Sequence, residues 1–174
     1  MSFTIYEASA PVFINALTSM QAWLGKALED GKSEAALLEA RLAPDMRPFP
    51  AQIQMASDSA KGAVARLTGV DAPSMPDTEA SFAELKTRCQ RTIDFISSVD
   101  RSAFDGAEDR PVELKFPNGA GYRFVGRDYL TGFALPNFFF HATTTYALLR
   151  ANGVNLGKPD FLQHLGPPNI PPTA

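Results

Sequence analysis

The sequence predicts an all-α fold, a bundle of helices with one short β-hairpin, and three observations support this prediction. Apolar residues recur at three- and four-residue spacing in four long segments, as on a helix with one buried face. Proline and glycine separate these segments, and one stretch alternates apolar and polar residues as a strand does. The 174 residues are 45% hydrophobic, which is enough for one core without a disulfide or structural metal.

The first long helix is predicted to begin with Ser9 as its N-cap and Pro11 in its first turn, and to end near Gly31. A shorter helix follows over residues 34–42 and stops before Pro44. The buried face of the first helix is formed by Phe13, Leu17, Met20, Leu24 and Leu28.

The second long helix is predicted to open at Pro48 and Pro50 and to end at Gly69, and Thr78 is predicted to cap the third. The buried positions of these two helices are Ile53, Ala56, Ala60, Val64 and Leu67, then Phe82, Leu85, Cys89, Ile93 and Ile96. Cys89 thus lies on an apolar face, which favours a packed, inert thiol over a reactive one. As the single cysteine, it excludes an internal disulfide.

A β-hairpin is predicted next, because apolar residues alternate from Val112 to Phe116 and again at Tyr122 and Phe124, around a Pro117-Asn118-Gly119 turn. We expect this hairpin to lie against the bundle, since two strands alone are barely stable.

The last long helix is predicted to start near Asp128 and to end at Asn152-Gly153. Residues 158–174 form an extended, proline-rich tail, either docked, loose or used as a partner-binding ligand, and the whole chain, 1–174, is predicted to be one domain.

Polar residues interrupt one face of the last helix. Asn137 and His141 are four residues apart and both predicted to face the bundle interior, while Pro136 should loosen the helix and free a carbonyl beside them. Buried polar groups need partners. In a structural interpretation, His141 bonds to Asn137, a threonine such as Thr145 or the backbone; in a functional one, it is a metal ligand or general base in a pocket.

The opposite face of that helix also carries aromatic residues. They recur with polar ones at three- and four-residue spacing, as Phe139, Thr143, Tyr146 and Arg150. A face of this kind is expected to be covered by the hairpin, by the tail or by a second subunit, and a homodimer through it is one hypothesis.

Charge and hydropathy exclude two classes of partner. The net charge is −3, and lysine and arginine are scattered instead of clustered, so nucleic acid is not expected as a partner. No apolar stretch approaches the length of a membrane span, and the first residues do not form a signal peptide. We therefore expect a cytoplasmic protein without membrane association.

Three segments carry a resemblance that spans nearly the whole chain: AKGAVARL at residues 60–67, LPNFFFHATTTYALLRANGV at 135–154 and GKPDFL at 157–162. They resemble an uncharacterised bacterial family that is grouped with the DinB/YfiT-like four-helix proteins. The resemblance implies an up-down-down-up bundle with the hairpin between helices 3 and 4. It also implies a divalent metal held by three histidines, one on the second helix and two on the fourth, and in some relatives thiol-dependent transferase or isomerase activity.

This sequence departs from the implied ligand set. His141 is similar to one histidine of the fourth-helix pair, but Asn137 stands at its partner's position. The second helix has no histidine, and only Gln52 and Ser59 flank its inner face, while His164 matches no family ligand. A divalent metal would thus have one histidine ligand, His141, and the metal chemistry is predicted to be lost or replaced.

Two classes of function remain open from the residues. The first is a bundle that binds a small molecule between its helices, in a pocket formed by His141, Asn137, Thr145, Gln52 and Ser59. The second is a non-catalytic dimeric interaction or stress-associated protein. A metal-dependent enzyme of the thiol transferase type is a further alternative, and the sequence does not decide whether the protein is an enzyme.

Overall fold

A computed structural model describes residues 3–116 and 118–170. Four long helices form its bundle: α1 (Ile5–Glu29), α3 (Phe49–Thr68), α4 (Phe82–Ser98) and α6 (Leu135–Ala151). The smaller elements are α2 (Glu34–Glu39), a 3₁₀ turn (Arg101–Phe104), β1 (Pro111–Lys115), β2 (Gly121–Val125), α5 (Gly126–Tyr129), a π-helical turn (Leu130–Ala134), α7 (Lys158–Phe161) and a second 3₁₀ turn (Gln163–Leu165).

Contacts between the long helices define their directions. Two pairs of helices run parallel. Helix α1 contacts α6 at Phe13–Phe138 and, further along both helices, at Trp23–Tyr146. Helix α3 contacts α4 in the same way, at Phe49–Phe82 and then at Ser57–Thr92. Residues meet in opposite directions between α3 and the last helical stretch, where Gln52 contacts His141 of α6 and Ser59 contacts Ala134 of the π-helical turn. The arrangement is up-down-down-up with the hairpin between the third and fourth long helices, so the predicted fold is confirmed.

Two helix starts differ from the prediction. Helix α1 begins four residues before Ser9, because Thr4 forms a capping box in which its hydroxyl accepts from Glu7 N and the Glu7 carboxylate accepts from Thr4 N. Ser9 lies inside the helix, where its hydroxyl donates to the carbonyl of Ile5. Pro11 is therefore inside the helix and not in its first turn.

Helix α4 is capped by Ser81, whose hydroxyl accepts from Glu84 N, and not by Thr78. Helix α2 ends at Glu39, short of the predicted Leu42. The predicted bounds of α3 hold: its N-cap is Pro48, and Gly69 ends it at a φ of +80°, where glycine is favoured.

The hairpin forms as predicted, with Pro111 opposite Val125 and Lys115 opposite Gly121. Glycine is required at position 121, because a Cβ on Gly121 would clash with the carbonyl oxygen of Leu114. Val112 joins the bundle core, which places the hairpin against the helices. Of the predicted turn, Pro117 lies outside the described residues.

The predicted last helix consists of α5, the π-helical turn and α6 in direct succession. The π turn precedes Pro136, which has no N–H, and in this turn Leu135 N donates to Leu130 O. The local distortion of the helix that was expected beside Pro136 thus takes the form of this wider, π-helical turn.

The tail begins differently from the prediction. It is helical over Lys158–Phe161 and docked onto α1, because Asp160 bonds to Lys26 at 2.8 Å and its backbone carbonyl accepts from Trp23 Nε1 at 3.0 Å. The prediction that the chain is extended from residue 158 onwards is therefore wrong. Residues 166–170 are exposed, and the predicted tail's last residues, 171–174, lie outside the described part.

Buried apolar residues from the four long helices, α2 and the hairpin form one contiguous cluster, which supports the proposal of a single domain. Within the described residues, no helix combines the length and apolar character needed to cross a membrane.

Candidate functional site

The imidazole of His141 lies between α6 and α3. It is 8% exposed, and its Nδ1 is 2.9 Å from Oε1 of Gln52, which is itself buried. Gln52 uses its other side-chain atom as well, because Nε2 donates to the carbonyl of Arg47 at 3.0 Å. The amide of Gln52 thus links the start of α3 to the middle of α6.

This network fixes the tautomer of His141. The carbonyl of Arg47 is an acceptor only, so the NH₂ group of Gln52 faces it and the amide oxygen faces the imidazole. Nδ1 therefore carries the hydrogen and donates it to Gln52. Burial lowers the pKa of His141, so the ring is neutral at neutral pH and Nε2 keeps its lone pair.

Nε2 of His141 is open to a further partner. In the described part of the chain, Arg88 Nε is the side-chain nitrogen or oxygen that is buried without a hydrogen-bond partner. No hydrogen bond joins Nε2 to a described residue, and Nε2 is not one of the fully buried atoms without a partner, so it keeps some accessible surface. The result is a neutral acceptor, held in a fixed orientation, at the surface of an inter-helix seam.

The other predicted site residues do not contact the imidazole through hydrogen bonds. Thr145 is buried, and its hydroxyl donates to the backbone carbonyl of His141 at 2.9 Å. Ser59 Oγ is 3.4 Å from the carbonyl of Ala134 in the π turn. Asn137 is half-buried, and among the described residues no hydrogen bond joins it to His141. The structure therefore pairs His141 with Gln52.

The residues around His141 do not fit the ligand set that the resemblance implies for a metal. Within residues 3–116 and 118–170, no group of three His, Cys, Asp or Glu side chains lies close enough to hold a metal ion. The groups that meet here are one imidazole and one carboxamide already bonded to each other. His164 is exposed in the second 3₁₀ turn.

A second polar cluster lies on the other side of α3, around the buried Arg88, and sequence reasoning missed it. The guanidinium of Arg88 on α4 is bonded to Asp58 at 2.8 Å, Asp77 at 2.9 Å and Glu79 at 3.0 Å, although its side chain is 1% exposed. Gln54 on α3 donates to Glu79 at 2.9 Å. These bonds hold the α3–α4 connection on the bundle.

A signal for Arg88 was present in the sequence. Arg88 follows Leu85 by three residues and precedes Thr92 by four, so it lies on the buried face of α4. A charged residue in that position requires ionic partners. Burial alone would raise the pKa of Glu79, but hydrogen bonds from Gln54 and Arg88 outweigh it and lower that pKa.

Cys89, next to Arg88, is fully buried, as predicted. Burial raises the pKa of its thiol to about 12, and the positive charge of Arg88 opposes this only partly. The thiol is therefore protonated at neutral pH and lacks nucleophilic character.

Comparisons with known proteins agree with the predicted resemblance. The family model described as "Domain of unknown function (DUF1993)" matches residues 5–162. Among solved structures, the chain is similar to a DinB family member protein from Shewanella denitrificans, with 32% sequence identity and a TM-score of 0.83. That similarity covers 98% of this chain and 95% of the other. The curated proteins give no significant match.

Proposed function

Since the chain belongs to the family defined by the domain of unknown function DUF1993, we propose that it is a DinB-like bundle that binds a small molecule at His141 without a divalent metal. The observation that carries this proposal is the hydrogen bond of 2.9 Å between Nδ1 of His141 and Oε1 of Gln52. This bond gives the imidazole a fixed orientation and leaves one nitrogen for a ligand.

The free nitrogen defines the chemistry of the ligand. A neutral Nε2 with a lone pair accepts a hydrogen bond, so the ligand carries a hydroxyl or N–H donor. Phe140 provides an apolar contact beside it: its ring is 56% exposed and lies edge-on to His141, with ring centres 5.1 Å apart. An aromatic ring with a donor group fits both features.

The same lone pair suits a general base, because a neutral imidazole takes up a proton from a bound donor. Binding precedes such a step, and binding is the function that the site supports. Gln52 would act as a positioning residue, because it holds the imidazole and does not itself face the ligand.

Histidine nitrogen chemical shifts test this proposal directly. In protein with ¹⁵N-labelled histidine at neutral pH, we expect His141 as the Nδ1–H tautomer and a titration with phenol to shift its Nε2 resonance. Anisole, which lacks the donor, should have a much smaller effect. His164 is the internal control, because it is exposed and far along the chain. An Nε2–H tautomer at His141, or equal shifts from phenol and anisole, would contradict the proposal.

Zinc distinguishes this proposal from the metal-dependent thiol transferase alternative. We expect Zn²⁺ to bind weakly, as one imidazole binds it, with no stoichiometric high-affinity site in calorimetry. Tight one-to-one binding that is lost in His141→Gln would support the metal enzyme instead.

The homodimer stays a prediction, and one structural contact weakens its motivation. Tyr146 on the outer face of α6 packs edge-on against Trp23 and against Phe161, with ring centres 5.6 Å and 5.7 Å apart. The tail of the same chain thus covers part of the aromatic face that motivated a second subunit. Sedimentation equilibrium would decide the oligomeric state.

A further inference from the structure

A cleft of about 480 Å³ lies at the end of the bundle where α1 begins. The first turn of α1, the 3₁₀ turn Arg101–Phe104, the loop after it and the π-helical turn surround this cleft. Its volume is in the range of small-molecule sites. His141 lies ten residues after Thr131 of the cleft, roughly 15 Å along the helix axis, so the two sites are separate.

One wall of the cleft is apolar and held in place by packing. Tyr6 and Phe104 meet edge to face, with ring centres 5.3 Å apart. Phe104 and Leu130 are core residues, exposed by 4% and 0%. These side chains are fixed before any ligand arrives, so little conformational entropy is lost on binding.

The polar rim of the cleft is negatively charged. Asp105 and Glu108 line it, and within the described residues neither carboxylate has an ion pair or a side-chain hydrogen bond. The cation of the rim, Arg101, is already matched: it bonds to Glu7 at 2.9 Å and lies over the ring of Tyr6, 4.9 Å from its centre. The cleft is therefore lined by two acidic residues that have no ion pair in the described part of the chain.

The π-helical turn supplies the far side of the cleft through Leu130 and Thr131. π-helical turns are rare, and they occur frequently at functional sites. This turn, which precedes Pro136, widens the helix beside the cleft.

We propose that this cleft binds an organic ammonium ion that carries an aromatic or bulky apolar group. The apolar group packs against Tyr6 and Phe104, and the ammonium is bound by the carboxylates of Asp105 and Glu108. An anionic ligand does not fit, because the positive charge of Arg101 is engaged and both free charges would repel it.

Benzylammonium is the probe for this site. In a titration followed by amide and aromatic NMR resonances, we expect shifts confined to the cleft, including Tyr6, Phe104 and Leu130. Benzyl alcohol and benzoate have the same ring but lack the positive charge, and we expect at least threefold weaker binding of each. Equal affinity for benzyl alcohol, or no shifts at millimolar benzylammonium, would overturn the proposal.

Two variants separate the role of charge from folding. The double substitution Asp105→Asn, Glu108→Gln should weaken benzylammonium binding by about three- to tenfold, as expected for two exposed charge pairs. The matched control, Asp45→Asn with Asp71→Asn, removes two exposed carboxylates outside the cleft and should leave affinity unchanged. An unchanged affinity in the cleft variant, with an intact spectrum, would overturn the proposal. The phenol titration at His141 reports on other residues, so either proposal can fail alone.

Discussion

Two of the polar contacts of helix α3 lie on opposite sides of it, one at the buried His141 and one at the buried Arg88, and they use different chemistry. Towards α6, Gln52 meets His141 in a neutral pair with one hydrogen bond between them. Towards α4, Gln54 and Asp58 join a cluster of ionic bonds around Arg88. The ionic cluster engages most of its charge within the protein, whereas the neutral pair leaves one acceptor open.

This difference separates a structural contact from a candidate binding site. The Arg88 cluster ties down the connection between α3 and α4, because Asp77, Glu79 and the carbonyl of Pro76 all belong to it. Among the described residues, no hydrogen bond joins the imidazole of His141 to the connection between α3 and α4. Arg88 therefore has a structural role, because its bonds hold a loop in place. His141 keeps one nitrogen without a hydrogen bond to a described residue, and this nitrogen is available to a ligand.

The largest expected effect comes from removing the charge at the ionic contact. Arg88→Met should lower the free energy of unfolding by about 3 kcal/mol, because the half-buried carboxylate of Glu79 loses its cation. Urea unfolding measures this. Arg91→Met is the matched control on the same helix, since Arg91 is exposed, and it should change stability by less than about 0.5 kcal/mol. Similar losses in both variants would show that the cluster is not a stabilising contact.

A smaller loss is expected at the neutral contact. Gln52→Leu leaves Nδ1–H of His141 and the carbonyl of Arg47 without their partner, which should cost about 2 kcal/mol. The exposed Gln90 provides the control substitution, Gln90→Leu. If Gln52→Leu destabilised the protein more than Arg88→Met, the neutral pair would be the principal fastening and the assignment of roles would be reversed.

The two contacts should also respond to acid in different pH ranges. Burial lowers the pKa of His141 below its ordinary 6.5, so stability is complete above pH 6.5 and falls as pH drops through the folded-state value. The pKa of Glu79 is lowered from 4.5, so its contribution is present above pH 4.5 and is lost only in stronger acid. His141→Gln should flatten the pH dependence of unfolding in the first range and Glu79→Gln in the second. If His141→Gln changed the pH dependence in the acidic range and Glu79→Gln changed it near pH 6.5, the roles given to both residues would be contradicted.

The smallest effect concerns the neighbour of Arg88. With a thiol pKa of about 12, Cys89 should react with iodoacetamide at pH 8 only after unfolding. The rate in native protein should follow global opening and rise when urea is added. Rapid alkylation of the native protein would mean that the charge of Arg88 governs the thiol and not its burial.

The sequence predicts burial more accurately than it predicts which residues contact each other. Periodicity on a single helix places His141 and Cys89 inside, and both are there. It does not fix how far α3 is shifted along α6, which decides that Gln52 is the residue of α3 that meets His141. The carboxylates at Arg88 were harder still, because Asp77 and Glu79 come from a loop without any periodic pattern.

The two wrong helix starts have a physical reason that the sequence contains. Thr4 and Ser81 are each followed three residues later by a glutamate, Glu7 and Glu84, and that spacing lets hydroxyl and carboxylate both serve the first turn. Ser9 and Thr78 lack such a glutamate.

The chain has one tryptophan, Trp23, and its surroundings make it an intrinsic optical reporter of the C-terminal segment. Its indole stacks on Phe161 at a centre distance of 5.3 Å and donates to Asp160, so both contacts come from α7. Emission from Trp23 should therefore change when α7 detaches, even while the four long helices stay folded. A fluorescence transition that precedes the loss of helical circular dichroism would mark undocking as a separate step, and no added dye would be needed to see it.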